Sequence, residues 1–225
     1  MIDEHNAPGL PQQRNRGIAH VTAPVVIFPD DDSLMHPGTI EEMMRVYERD
    51  TEGRIAGVCA AFTPDPPPGA LPEDAYDMTM GQHGEARTLR LRKWLERRLD
   101  LCNPFMYLGG LLAARARPYD WMVEEDCVFV EWMVGYRMSF RTAAIRAEGF
   151  DELFQGYALF EDVNACFAMA RHGALVGARR ARIYHHKFPS RRGDGGFSQG
   201  AQHVLNRAYV VMRHVADAGL SEHER

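Results

Sequence analysis

The stretch Val25 to Leu34, VVIFPDDDSL, runs five largely apolar residues into three adjacent aspartates. A short uninterrupted apolar run of this kind reads as a strand covered on both faces, and so as part of a layered sheet. In open α/β sheets, ligands collect beyond the carboxyl ends of the strands, which is where the acids fall. On extended backbone, residues i and i+2 point the same way, so Asp30 and Asp32 converge while Asp31 turns aside. Nothing basic within the stretch relieves their repulsion. Two carboxylates with room left for outside oxygens suit a hard divalent cation, Mg²⁺ or Mn²⁺, whose double charge would relieve it. The other reading is a solvated acidic turn in which Asp32 or Ser33 caps the following helix.

The rest of the chain alternates. LPQQRNRGIAHV reads as a short helix, and Pro37 opens a second, PGTIEEMMRVYERD, with Glu41 and Glu42 in the first turn, where the helix dipole favours acids. RIAGVCAAFTP is a second strand. EDCVFVEWMVGYRMSFRT carries one or two more, with Tyr136, Met138 and Phe140 alternating to one side. GFDELFQG is a turn and short helix, and EDVNACFAMARHG a compact amphipathic helix stopped by Gly173. ALVGARRARIYHH gives a further strand, and a final helix places Val204, Ala208, Met212 and Val215 in line. Strands alternating with helices predict an α/β sandwich around a mostly parallel sheet.

Two segments interrupt this order. A Pro- and Gly-rich passage from Thr63 leads into the basic helix RTLRLRKWLERRLDLC, with Leu91, Leu95 and Leu99 on one stripe. Its Arg87, Arg90, Arg92, Lys93, Arg97 and Arg98 beside Trp94 form either a solvated face or a peripheral contact with anionic lipid. The net charge of −5 argues against a nucleic-acid binder. Cys59, Cys102, Cys127 and Cys166 are dispersed without CxxC spacing, as expected of reduced thiols in the cytoplasm. No apolar run approaches the about 20 residues a bilayer-spanning helix needs, so membrane contact is expected to be peripheral at most, at the inner face.

Taken in order, LPQQRNRGI, VVIFPDDDSLMHPGTIEEM, WMVGYRMSFRTAAIRAEGFDE, FEDVNACFAMARHG and IYHH resemble the family 2 glycosyltransferases of the GT-A fold. The resemblance implies a Rossmann-like mixed sheet flanked by helices, and transfer of a sugar from a nucleotide-diphosphate donor to a hydroxyl of a glycan or lipid-linked acceptor, as in polysaccharide biosynthesis. By the resemblance, Asp30 and Asp32 are the DxD carboxylates that hold Mn²⁺ or Mg²⁺ and the donor diphosphate. Asp31 reaches ribose or sugar hydroxyls, and Arg14 faces the donor. Asp162 is the general base of an inverting transfer, with Glu161 beside it on the acceptor side. Spacing from Asp162 favours His186 over His185 as a metal ligand. Trp132 is either a platform for the acceptor sugar or a core residue. Arg191 and Arg192 stand in a loop able to close over a diphosphate.

The family's elements before the RNxG segment have no counterpart ahead of Arg14, so the expected sheet is partial, with an unpaired edge. Residues 1–190 are expected to form this partial GT-A-like domain, with an insertion at about 64–104, and residues 191–225 a flexible loop and a terminal helix. Where the family often carries an arginine, this chain has Ala168, with Arg171 three residues on. Two further functions fit the same acids. One is a catalytically impaired relative serving as a binding or scaffolding module. The other is a metal-dependent phosphohydrolase, which lacks a second carboxylate–histidine cluster at binuclear spacing.

Overall fold

The computed structural model describes residues 9–70, 118–155, 158–186 and 197–214. The Leu91–Leu95–Leu99 segment, most of the expected insertion, and the Arg191–Arg192 loop lie outside them. The elements in chain order are α1 (Leu10–His20), β1 (Val25–Pro29), β2 (Ser33–Met35), α2 (Thr39–Arg49), β3 (Ile55–Phe62), α3 (Asp120–Glu124), β4 (Cys127–Phe129), β5 (Arg137–Arg141), α4 (Thr142–Glu148), α5 (Glu161–Met169), β6 (Ala174–His185) and α6 (Phe197–His214). The helices expected from LPQQRNRGIAHV, PGTIEEMMRVYERD and EDVNACFAMARHG are α1, α2 and α5. Helix α5 ends at Met169, ahead of Gly173.

One sheet runs in the order β1-β5-β3-β6-β2, with β4 also paired to β6. It is mixed rather than mostly parallel. Among the described strands the parallel pair is β3 with β6, and β1–β5, β3–β5, β2–β6 and β4–β6 are antiparallel. Strand β1 therefore sits at one end of the sheet, with a single described neighbour, and most of its side chains are only half-buried. Its apolar sequence had suggested a parallel strand covered on both faces. Strand β3 holds that place instead, and its side chains divide between two cores.

One core joins Ala56 and Cys59 of β3 to Met138 and Phe140 of β5, with Ile18, Ile145, Cys166 and Met169 from α1, α4 and α5. The other joins Ile55, Val58 and Ala60 to Met43, Val46 and Tyr47 of α2, Met122 of α3, and Val176 and Ile183 of β6. Tyr136 departs from the expected alternation with Met138 and Phe140, because it belongs to this second core. The Arg137 N–H donates to the Val134 carbonyl at 3.1 Å, so residues 134–137 form a turn and Tyr136 precedes the strand.

At Gly57 the sheet is too tight for a side chain. An added Cβ would lie 2.7 Å from Phe140 Cδ1, 2.8 Å from Met133 Cε and 2.9 Å from the Ser139 carbonyl oxygen. Gly57→Ala is expected to cost about 1–3 kcal/mol through overpacking, read as a shift in urea midpoint at unchanged m-value.

Helix α6 docks on α5 through a third core of Phe154, Ala158, Val163, Phe167 and Val210. The stripe expected to bury this helix faces outward, since Val204 is 66% and Met212 78% exposed. Val210 is the fully buried residue, and Tyr209 donates a 2.7 Å hydrogen bond to Asp151 Oδ2 of the GFDE turn. The four-residue spacing of Val204, Ala208 and Met212 had read as an apolar seam, and the docking contacts turned the other side of the helix inward.

Candidate active site

The acids of the opening stretch are brought together by a turn. The Ser33 N–H donates to the Asp30 carbonyl at 3.1 Å, reversing the chain between β1 and β2 with Asp31 and Asp32 at its tip. Strand β2 then pairs with the end of β6, Ser33 opposite His185. No expectation from sequence included β2, whose three residues are too few to show a period.

This pairing decides which histidine meets the acids. His185 Nε2 lies 3.0 Å from Asp32 Oδ1, and Asp30, Asp32 and His185 each offer a ligand atom within 4.8 Å of the others. His186, the expected ligand, is outside this group. Its ring is buried, and its backbone N–H donates to the Asp32 carbonyl at 2.8 Å. Neighbours on a strand point to opposite faces, so only one of the pair can face the carboxylates. Two carboxylates and an imidazole with space beside them fit a divalent cation that keeps open positions for substrate oxygens.

Burial raises the Asp30 carboxyl above its usual range; Arg14 opposes this, and Asp32 adds to it. Asp31 is exposed at the tip of the turn.

Arg14, on α1, is buried beneath these acids. Its guanidinium lies 5.8 Å from the Phe28 ring centre and 5.2 Å from that of Phe150, stacked among apolar faces. Nη1 donates to Glu161 Oε1 in a short ion pair, and Nη2 lies 3.6 Å from Asp30 Oδ1. One cation thus joins the DDD turn to the ED pair. Burial pushes the Glu161 carboxyl up to about 7, with Arg14 pulling the other way. Glu161 Oε2 is buried without a hydrogen-bond partner among the described residues.

Asp162 sits in the first turn of α5, where two backbone donors fix it. The Gly135 N–H reaches Oδ2 at 3.0 Å and the Val163 N–H reaches Oδ1 at 2.8 Å. Desolvation raises its affinity for a proton despite both bonds. The turn leading to it carries Ala158 and Phe160 at φ 52° and 70°, unusual for residues with side chains. Helix α6 supports that turn, with Asn206 Nδ2 donating to the Leu159 carbonyl at 2.9 Å.

A cavity of about 690 Å³ is lined by Asp30, Asp31, Asp32 and His185 together with Arg14, Glu161 and Asp162, and by Gly135 and Tyr136 between them. Trp132 does not line it. That side chain packs between the first and third cores, and Tyr136 and Phe160 are the aromatic residues that line the cavity. Arg171 also stands apart, paired with Glu148 at 2.7 Å. Gly135 and Tyr136 were not among the site residues expected from the sequence, where the GYRM segment showed only a departure from the family's usual glycine-containing turn. Their importance comes from close approach, since a Cβ on Gly135 would lie 3.0 Å from Arg14 Nη2. Among the described residues, no helix is long and apolar enough to cross a membrane.

The comparison with curated proteins gives no match. Residues 2–109, from α1 through the acidic turn to β3 and beyond, match the family model described as Glycosyl transferase family 2. That match and the mixed sheet flanked by helices are consistent with a family 2 glycosyltransferase whose domain is of the GT-A type.

Proposed function

We propose that the protein is a metal-dependent inverting glycosyltransferase, moving a sugar from a nucleotide-diphosphate donor to a hydroxyl of a glycan or lipid-linked acceptor. The observation that carries this reading is a single cavity whose wall includes both the Asp30–Asp32–His185 group and the carboxylate of Asp162. Asp30, Asp32 and His185 would hold Mn²⁺ or Mg²⁺, which when bound neutralises charge on a donor diphosphate. Asp31, exposed at the tip of the turn, is available to ribose or sugar hydroxyls.

Asp162 takes the proton of the acceptor hydroxyl as that oxygen bonds to the anomeric carbon. The bond from that carbon to the diphosphate oxygen breaks, and its electron pair leaves with the nucleotide. Attack from the face opposite the leaving group inverts the centre. Desolvation suits Asp162 to the task, because an ordinary carboxylate is too weak a base near neutrality. Arg14 holds Glu161 beside Asp162 and offers positive charge on the donor side.

The test is release of nucleoside diphosphate from sugar nucleotides with added Mn²⁺. Turnover is expected with the metal, and it should fall at least 100-fold with a chelator or in Asp32→Ala. Turnover indifferent to both would remove the cation from the reading. Thermal stabilisation by a nucleoside diphosphate with Mn²⁺, but no turnover with any donor, would favour the binding module instead.

A further inference from the structure

Gly135 and Tyr136 touch both halves of the cavity. The Gly135 N–H orients Asp162, and the Tyr136 ring lies flat on the imidazole of His185, centroids 4.3 Å apart and planes 16° from parallel. His185 is the last residue of β6, and its side chain is 17% exposed. A side chain at the end of a strand has free rotation to lose when it ligates an ion, and a ring packed flat against it removes that freedom beforehand. The stacking partner is itself fixed. Tyr136 is 9% exposed, belongs to the second core, and lies within the turn closed by Arg137 and Val134.

We propose that Tyr136 is a positioning residue for the metal centre: its ring holds the His185 imidazole in the plane that directs Nε2 toward Asp32 and the cation. The proposal rests on reading Asp30, Asp32 and His185 as metal ligands; strand register presents His185 rather than His186, and the Tyr136 ring then fixes its imidazole. The contact is made by the ring face, so it needs an aromatic side chain and not the phenol hydroxyl.

The experiment is Mn²⁺ titration of the full chain, followed by the electron paramagnetic resonance signal of the free ion. Electron spin echo modulation from coordinated imidazole ¹⁴N is the second readout. Wild type should bind Mn²⁺ with ¹⁴N modulation, and His185→Ala should lose that modulation. Tyr136→Phe should match wild type in both. Tyr136→Leu and Tyr136→Met, which keep apolar volume in the core, should bind Mn²⁺ roughly tenfold more weakly, in the range for partners that orient a ligand, and with reduced modulation. Two ring-less variants, each checked by circular dichroism, guard against one of them failing to fold. Unchanged affinity and modulation in Leu and Met would overturn the positioning role alone. Loss of binding in Tyr136→Phe would overturn the stacking argument in favour of the hydroxyl. A wild type that binds no Mn²⁺ removes the metal reading, and the proposal with it.

Discussion

Asp162→Asn is expected to lower kcat by about 10²–10⁴-fold, the usual share of a positioned general base, while Mn²⁺ and nucleoside diphosphate still bind. The amide keeps the shape of the carboxylate, and its oxygen can still accept the Gly135 N–H. It cannot take the acceptor's proton. The pH profile provides a second check. The base must be ionised to act, so wild-type activity falls as pH drops through the pKa of Asp162. Because burial raises that pKa, the acid limb of kcat/KM should lie above the ordinary aspartate value of about 4. The residual activity of the asparagine variant should lack the limb. Wild-type turnover in that variant would exclude Asp162 as the base.

Arg14→Met should destabilise the fold by about 1–3 kcal/mol, the cost of leaving a buried polar group without its partner. It leaves the Glu161 carboxylate buried without its partner, and the apolar replacement offers nothing in exchange. The cost should depend on pH. Glu161 has a folded pKa of about 7 against an ordinary value of 4.5, so the folded state holds a proton that the unfolded state has lost across that window. This group's contribution to stability therefore falls as pH rises from 4.5 to about 7. Without the arginine the folded pKa rises further. Glu161 is then neutral at pH 5 and costly to ionise at pH 8, and the deficit of Arg14→Met should grow between those values. Adding Glu161→Gln should recover part of it and flatten the pH dependence. Urea denaturation of the single and double variants across pH measures both effects. A deficit independent of pH would mean that lost packing on Phe28 and Phe150, rather than the ion pair, carries the cost.

Much of the fold was legible because its signals are local. The apolar runs of β1, β3 and β6 and the acids at the starts of α2 and α5 are patterns a short window can hold. Three elements were not anticipated. Strand β2 and helix α3 are too short to show a period, and α4 follows β5 without a break. The outward stripe on α6 shows the limit of periodicity: four-residue spacing identifies a helix, but Val210 and His214, off that stripe, are the residues buried against α5 and its surroundings.

The candidate site divides the same way. Sequence alone determined that acids stand at the end of a strand and at the start of a late helix, because strand and helix signals are read from neighbouring residues. Tertiary structure alone decided which partners those acids meet. Asp32 and His185 are 153 residues apart in the chain, and Arg14 and Glu161 are 147 apart. Contacts at such separation depend on strand register, and a slip of one residue exchanges the faces on which His185 and His186 stand. The pairing of Ser33 with His185 made that choice, and the turn at 134–137 set Tyr136 against the chosen ring.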